Sequence, residues 1–154
     1  MQSSDWHQES TPRSKILLEK VMLGKSGIEQ RHYALADITR LFTRDAQELN
    51  EYYEEQSVIM ASSALAKALQ QAQLDASALD AIFICTCTGY LCPGVSSHVA
   101  EKLGLRSDAY LCDLVGLGCG AAIPTLRAAH GFLRANPSAK VAVIAVEVCS
   151  AAFF

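Results

Sequence analysis

The sequence predicts an α/β fold with a mainly parallel sheet covered by helices. Three runs rich in apolar residues, at 81–87, 108–115 and 140–148, have the composition of strands that are buried on both faces. Segments with helical spacing lie between these runs, and the connections are short. Strands and helices that alternate in this way need crossover connections, which place successive strands parallel to one another.

The composition is typical of a soluble protein with one hydrophobic core. Of the 154 residues, 51% are hydrophobic and 19% are charged, and the net charge of −3 includes no block of like charges. This balance gives no reason to expect nucleic acid or an anionic membrane as the main partner. The longest apolar run, residues 141–146, is too short to span a bilayer, and the N-terminus lacks a secretory signal. We therefore expect a cytoplasmic protein without a membrane span.

The six cysteines favour reduced thiols over disulfides or a metal site. Four of them lie in or beside the apolar runs, where a free cysteine behaves as a small hydrophobe. Cys85, Cys87 and Cys92 lack the paired C-x-x-C spacing of a zinc site, and no histidine stands at a partner distance. We expect no metal, no bound cofactor and a reducing compartment.

The first strong helix signal comes at Asp45. Residues 1–14 are polar and are expected to be flexible, whereas residues 15–23 are apolar enough for a strand or a brief helix. Asp45 is expected to open a helix that continues to about Gln73, because apolar side chains recur at helical spacing between them. The side chains assigned to the buried face of this helix are Leu49, Tyr52, Tyr53, Ile59, Met60, Leu65 and Leu69.

Shorter elements fill the rest of the chain. Residues 75–80 predict a helical turn before the first apolar run. Ser96 or Ser97 is expected to cap a short helix that stops at Gly104, and a third helix is expected to continue to about Ala135.

A cysteine stands at the predicted bend between the second strand and the third helix. Gly118 and Gly120 flank Cys119, and glycine allows backbone angles that a side chain forbids while leaving room for a substrate. Serine hydrolases hold their nucleophile at a similar bend, and helix-start amides and the helix dipole favour a thiolate there. On spacing alone, a buried cysteine in a packing turn is an equally good interpretation.

Several motifs, in this order and spacing, resemble those of the type III polyketide synthases, which include chalcone and stilbene synthases. The motifs are Cys85-Thr-Cys-Thr-Gly-Tyr-Leu-Cys-Pro-Gly94, Lys102-Leu-Gly-Leu-Arg106, Gly118-Cys119 and Val146-Glu-Val-Cys-Ser-Ala-Ala-Phe153. The agreement extends over residues 15–154 but covers only the N-terminal half of the family's protein. The β-ketoacyl-carrier-protein synthase III enzymes share the fold and the cysteine and are the nearest alternative.

The resemblance implies a thiolase-like layered fold, with residues 15–154 as its first half, and an enzyme that is usually a homodimer. It implies that Cys119 accepts the acyl group of a starter acyl-CoA, which is then extended by decarboxylative condensation with malonyl-CoA. In the family, a histidine and an asparagine from the second half stabilise the thiolate and the oxyanion. Neither position falls within this sequence, so the alternative to an enzyme half is a non-catalytic truncated or assembly half.

The chain's own histidines do not replace the missing partner. His130 follows Cys119 by eleven residues on the same predicted helix, which is about 16 Å along the axis and too far for a hydrogen bond. His98 is predicted on another helix, and His32 and His7 are in poorly defined segments. We interpret all four as structural residues.

The resemblance also assigns residues to the substrate pocket: Cys87, Thr88, Cys92, Cys149 and Ala152. Cys149 and Ala152 stand where plant enzymes have threonines, so we expect a less polar pocket that favours an apolar acyl starter. Cys92 stands where plant enzymes have a methionine that reaches into the neighbouring subunit's cavity. Lys25 corresponds to a basic residue that binds the phosphate of coenzyme A.

Overall fold

The computed structural model describes residues 10–17, 19–20, 24, 30, 32–34 and 45–152. Its contacts divide the chain into two compact units, residues 1–32 and 33–154. In the first unit, helix α1 spans Pro12–Leu17, so the start of the segment expected to be a strand or a brief helix is helical. Lys25 lies outside the described residues.

The second unit contains the predicted alternation of strands and helices. The helices are α2 at Ala46–Ala72, α3 at Val95–Leu103 and α4 at Ala122–Ala135, and the strands are β1 at Ala81–Thr86, β2 at Tyr110–Val115 and β3 at Val141–Ala145. Short 3₁₀ turns lie at Ala76–Ala78, Gly118–Gly120 and Cys149–Ala151. The described strands form a three-stranded sheet in the order β2-β1-β3, and both pairings are parallel.

Helices cover both faces of the sheet, as predicted. Side chains alternate along a strand, so Ile82 and Ile84 of β1 belong to the core that includes buried residues of α2 and α3. Phe83 points the other way and packs with Ala129 and Phe132 of α4. All residues of β1 are buried, as expected for the first apolar run, whereas Cys87 at the end of that run is exposed.

The edge strands differ from the expectation of full burial. Tyr110 is 50% exposed, and Val115 and Val143 are each 36% exposed. The reason is their place in the described sheet, where β2 and β3 flank β1 on either side. Apolar composition predicted that these segments are strands, but exposure depends on which neighbours a strand has.

Helix α2 has the predicted ends. Asp45 and Glu48 form a capping box, in which the Asp45 carboxylate accepts from the Glu48 N–H at 2.8 Å. Gln73 ends the helix in the left-handed conformation with a φ of 55°. Within the described ranges, none of the helices has the length and apolar character needed to cross a membrane.

The buried face of α2 is narrower than predicted. The fully buried positions that recur every four residues are Leu49, Tyr53, Ser57, Ala61, Leu65 and Leu69. The prediction was wrong for Ile59 and Met60, which are 41% and 39% exposed. Ile59 is two residues before the buried Ala61 and therefore lies about 200° from it around the helix axis. Met60 is one residue before Ala61 and lies about 100° from it.

The amino end of α3 is capped by a strand residue and not by its own serines. Gly94 occupies the N-cap position. The carboxylate of Asp113, on β2, accepts from the Ser96 N–H at 3.1 Å and from the Ser96 hydroxyl. The predicted serine cap is therefore wrong, whereas the predicted stop at Gly104 is confirmed by its left-handed φ of 66°.

Asp80 joins the amino ends of the three strands. Its carboxylate accepts from the Lys140 N–H at 2.7 Å and pairs with Arg106 at 3.0 Å. Its backbone carbonyl accepts from the Tyr110 N–H at 2.9 Å, and its own N–H donates to the Lys140 carbonyl at 2.9 Å. The Lys140 amide and the Arg106 guanidinium hold the pKa of the Asp80 carboxyl below its usual value.

Substituting Asp113→Ala is expected to lower the free energy of unfolding by about 1–2 kcal/mol, because the first turn of α3 loses its acceptor. Urea denaturation followed by circular dichroism measures the change. The matched control is Asp108→Ala, which removes an exposed carboxylate paired only with Arg106 among the contacts described. An equal loss of unfolding free energy in Asp108→Ala would contradict the stabilising role of the Asp113 cap.

Asp80 also predicts an acid-dependent loss of stability. A carboxyl whose pKa is lowered in the folded state stabilises the protein above its unfolded pKa of about 3.9. That contribution is lost as the pH falls through the lower folded pKa. We expect the urea midpoint of Asp80→Asn to change less than that of the parent between about pH 6 and about pH 3. The control variant Asp75→Asn, at an exposed position, should show the same pH dependence of the urea midpoint as the parent. A pH dependence that is equally weakened in both variants would contradict the role of Asp80.

Candidate active site

The carboxyl ends of the three strands meet at one edge of the sheet. Cys87 directly follows β1, Cys119 lies in the 3₁₀ turn after β2, and Cys149 begins the 3₁₀ turn after β3. Parallel strands end at the same side, so the topology gathers residues that are up to 62 positions apart in the sequence. All three cysteines are free and exposed.

The turn that carries Cys119 depends on two glycines. Gly116 and Gly118 have φ angles of 77° and 68°, a region that favours glycine over other residues. The prediction holds for Gly118, whereas the second left-handed residue is Gly116 and not Gly120. The Gly116 N–H donates to the Thr86 carbonyl at 3.2 Å, which ties the start of this turn to the end of β1. Because Cys119 is exposed, the interpretation as a buried packing cysteine does not describe it.

Glu147 connects the end of β3 to the end of β1. The Cys87 N–H donates to both of its carboxylate oxygens, at 3.0 and 3.1 Å. The Thr88 hydroxyl donates to it at 2.8 Å, and the Thr86 hydroxyl donates at 3.4 Å. The Val148 N–H in turn donates to the Thr88 hydroxyl oxygen at 2.9 Å, so the two chain segments are joined in both directions.

Helix α2 contacts this cluster through Tyr53. The hydroxyl of the buried Tyr53 donates to the Thr86 hydroxyl oxygen at 3.1 Å. Burial raises the pKa of Tyr53, so its phenol remains a donor at neutral pH. A cavity of about 170 Å³ lies beside Tyr53 and Thr88 and is lined by Ala46, Leu49, Asn50, Tyr53, Thr88, Gly89 and Ala151.

The environment of Cys87 holds its thiol in the protonated form. Partial removal from water raises the pKa of Cys87, and the Glu147 carboxylate raises it further. The Cys119 and Cys149 thiols also raise the pKa of Cys87, but less than desolvation and Glu147 do. The structure thus brings together three of the cysteines that the sequence analysis selected.

The other selected residues lie around this cluster or away from it. Ala152 and Cys92 are exposed, and Cys92 precedes Pro93 through a cis peptide bond. His98 is half-buried on α3, and His130 is exposed on α4. In the part of the chain that the structure describes, no group of three or more histidine, cysteine or acidic side chains could hold a metal ion.

Sequence reasoning assigned no role to Glu147 or to the hydroxyl of Tyr53. The signal for Glu147 was a single carboxylate within the otherwise apolar segment 146–148, directly after a strand. A charge in that position needs donors nearby, because an unpaired carboxylate is costly to remove from water. The tyrosine had no comparable signal, since its ring fits the apolar face of α2.

The architecture and the bend at Cys119 define a class of protein: a thiolase-like α/β fold with an exposed cysteine between a strand and a helix. A model of the FAE1/type III polyketide synthase-like protein family matches residues 2–154. The chain therefore belongs to this family, as the motifs predicted.

Curated relatives carry related names. The chain is 26% identical over 140 residues to 1,3,6,8-tetrahydroxynaphthalene synthase of Streptomyces coelicolor, covering 91% of this chain and 37% of that protein. It is 33% identical over 106 residues to 3,5-dihydroxyphenylacetyl-CoA synthase of Amycolatopsis balhimycina, covering 69% of this chain and 28% of the relative. The chain thus spans well under half the length of these relatives.

Solved structures confirm the fold. The crystal structure of the Streptomyces coelicolor tetrahydroxynaphthalene synthase, a bacterial type III polyketide synthase, superimposes with a TM-score of 0.82 at 26% identity, covering 94% of this chain and 41% of that one. CsyB, crystallised with CoA-SH, gives a TM-score of 0.81 at 27% identity, covering 94% of this chain and 40% of the other.

Substituting Glu147→Gln is expected to speed alkylation of Cys87. The amide keeps the shape of the side chain but removes the negative charge, so the pKa of Cys87 falls and more thiolate is present at a given pH. Rates of iodoacetamide labelling at several pH values, measured by peptide mass spectrometry, report the change. Cys92 in the same peptide is the internal control, and Glu101→Gln on the surface of α3 is the control variant. An unchanged pH profile for Cys87 would contradict the charge effect.

Proposed function

We propose that this chain is the nucleophile-bearing half of a type III polyketide synthase and that Cys119 takes an acyl group from a CoA thioester. The observation that carries the proposal is the exposed thiol at the glycine bend after β2. An exposed sulfur at a narrow turn leaves an acyl carbonyl free to approach it. Membership in the family supports this role, and the CoA-SH bound to CsyB supports a CoA thioester as the substrate class.

The proposed reaction begins with acyl transfer. The Cys119 thiolate attacks the thioester carbonyl, a new carbon–sulfur bond forms, and coenzyme A leaves as its thiol after taking up a proton. Malonyl-CoA then loses carbon dioxide, and the resulting enolate attacks the acyl carbonyl and releases the Cys119 thiolate. Each round lengthens the chain by two carbons.

The cluster around Cys119 supports an apolar acyl starter. Thr88 is half-buried, and its hydroxyl is already engaged with Glu147 and with the Val148 N–H. Cys149 and Ala152 offer no hydroxyl to a substrate. The Cys87 thiol stays protonated. Cys92, on the loop after β1, is proposed to line the same substrate pocket. A phenolic starter would find few free partners here, whereas an alkyl chain needs none.

The proposed whole enzyme needs more than this chain. The relatives are roughly two and a half times as long as this chain, since 140 aligned residues make up 37% of one and 106 make up 28% of another, and their second half would supply the groups that stabilise the thiolate and the oxyanion. We place the enzyme in the cytoplasm as a homodimer, because all six cysteines are free thiols and the family resemblance implies a dimer. Lys25 is proposed to bind a phosphate of coenzyme A.

Intact-protein mass spectrometry after incubation with a long-chain acyl-CoA tests this function. We expect an acyl mass on Cys119 of the purified protein, because the exposed thiol takes the group. Cys119→Ala should lose the adduct, and Cys112→Ala, which removes a half-buried thiol of β2 outside the proposed pocket, should retain it.

The outcomes separate the proposed enzyme from its alternative. An adduct without any product that depends on malonyl-CoA would define a chain that loads but does not condense, and loading by Cys119 would still stand. An adduct that survives in Cys119→Ala, or no adduct at all, would favour a non-catalytic assembly half.

A further inference from the structure

The cluster at the carboxyl edge of the sheet contains more thiols than the proposed acyl transfer uses. Cys87, Cys119 and Cys149 are all exposed and free, each after a different strand. By contrast, Cys85 is buried within β1 and Cys112 is half-buried within β2. The described residues hold no metal-binding group at this edge, so metal coordination does not account for the cluster.

The strand order fixes which thiol stands between the other two. The sheet runs β2-β1-β3, so Cys87 on the central strand lies between Cys119, which follows β2, and Cys149, which follows β3. The two neighbours both act on Cys87 electrostatically, and Cys119 has the larger effect. Cys87 follows the strand next to β2, and the hydrogen bond from the Gly116 N–H to the Thr86 carbonyl ties the Cys119 turn to the end of that strand.

The turn at Cys119 is not held by packing at its three glycines. The Gly116 N–H already bonds to the Thr86 carbonyl, one residue before Cys87. A Cβ atom placed on Gly116, Gly118 or Gly120 would meet no atom within 4 Å besides its chain neighbours, so no described side chain packs against the turn at these points. Cys87 itself is held in place because its N–H donates to Glu147. A fixed thiol beside a movable one is an arrangement in which a disulfide can reach its required geometry.

We propose that Cys119 and Cys87 form a reversible disulfide when a peroxide oxidises the protein. The Cys119 thiolate attacks one peroxide oxygen, which breaks the O–O bond, gives a sulfenic acid and releases hydroxide that is protonated to water. The Cys87 thiol then gives up its proton as its sulfur attacks the sulfenic sulfur, the S–S bond forms, and the sulfenic hydroxyl leaves with that proton as a second water. Two thiols lose two electrons in total, and the peroxide is reduced by the same two.

The consequence of this step rests on the proposed function. A disulfide occupies the sulfur that would take the acyl group, so the oxidised protein cannot load a starter. A thiol reductant reverses the bond and returns the Cys119 thiol. The pair would thus stop condensation under oxidising conditions and protect Cys119 from irreversible oxidation to the sulfinic acid.

The test uses the purified protein and hydrogen peroxide, without any acyl-CoA. Trypsin separates the three thiols into different peptides, because Lys102 and Arg106 lie between Cys87 and Cys119, and Arg127 and Lys140 lie between Cys119 and Cys149. We expect a cross-linked pair of peptides whose fragment ions join Cys87 to Cys119, and its loss on treatment with dithiothreitol. Cys149→Ser is the matched control and should keep this cross-link, whereas Cys87→Ser should lose it.

The variants decide between the proposal and its rivals. In Cys87→Ser, we expect dimedone to trap a sulfenic acid on Cys119, since the resolving thiol is absent. A cross-link from Cys119 to Cys149 in the parent, or stable sulfenic acid without any cross-link, would overturn the proposal. These outcomes do not depend on acyl loading, so a failed disulfide leaves the proposed function intact. A disulfide without later acyl loading after reduction would count against the function alone.

Discussion

The arrangement of the candidate site depends on the carboxylate of Glu147. It accepts from the Cys87 N–H and from the Thr88 hydroxyl, and through Thr86 it is connected to Tyr53 on α2. Hydrogen bonds to a charged group contribute about 1.5–3 kcal/mol each, which offsets the cost of moving the carboxylate partly out of water. Without this acceptor, the segments after β1 and β3 would keep the hydrogen bond from the Val148 N–H to Thr88 but lose every bond that Glu147 makes to Cys87, Thr88 and Thr86.

Most of the fold could be predicted because its signals are local. The capping box of Asp45 and Glu48 lies within four residues, and the burial of β1 follows from an unbroken apolar run. The contacts that build the site are different in kind. Glu147 bonds to a backbone amide 60 residues away, and Asp113 caps a helix from a strand 17 residues beyond it. Such pairings become visible only when the order of the strands is known.

The structure places three of the cysteines selected from the sequence at one end of the sheet, and the reason is their position in the chain. Cys87, Cys119 and Cys149 each stand just after an apolar run, and parallel strands bring the ends of such runs to one edge. Their exposure could not be predicted, because an apolar context suggests a buried thiol equally well. Cys119 is exposed because the left-handed Gly116 and Gly118 turn the chain out of the sheet before the helix begins.

The hydrogen bonds of Asp80 at the amino ends of the strands also affect the carboxyl ends, where the cysteines lie. A parallel strand that slips by two residues keeps the same side chains on each face but moves about 7 Å along its neighbour. By bonding to Lys140 and Tyr110 at the strand starts, Asp80 excludes that alternative alignment. The strands are about 20 Å long, so one residue at their amino ends fixes the alignment of their carboxyl ends, which Cys87, Cys119 and Cys149 follow in the chain.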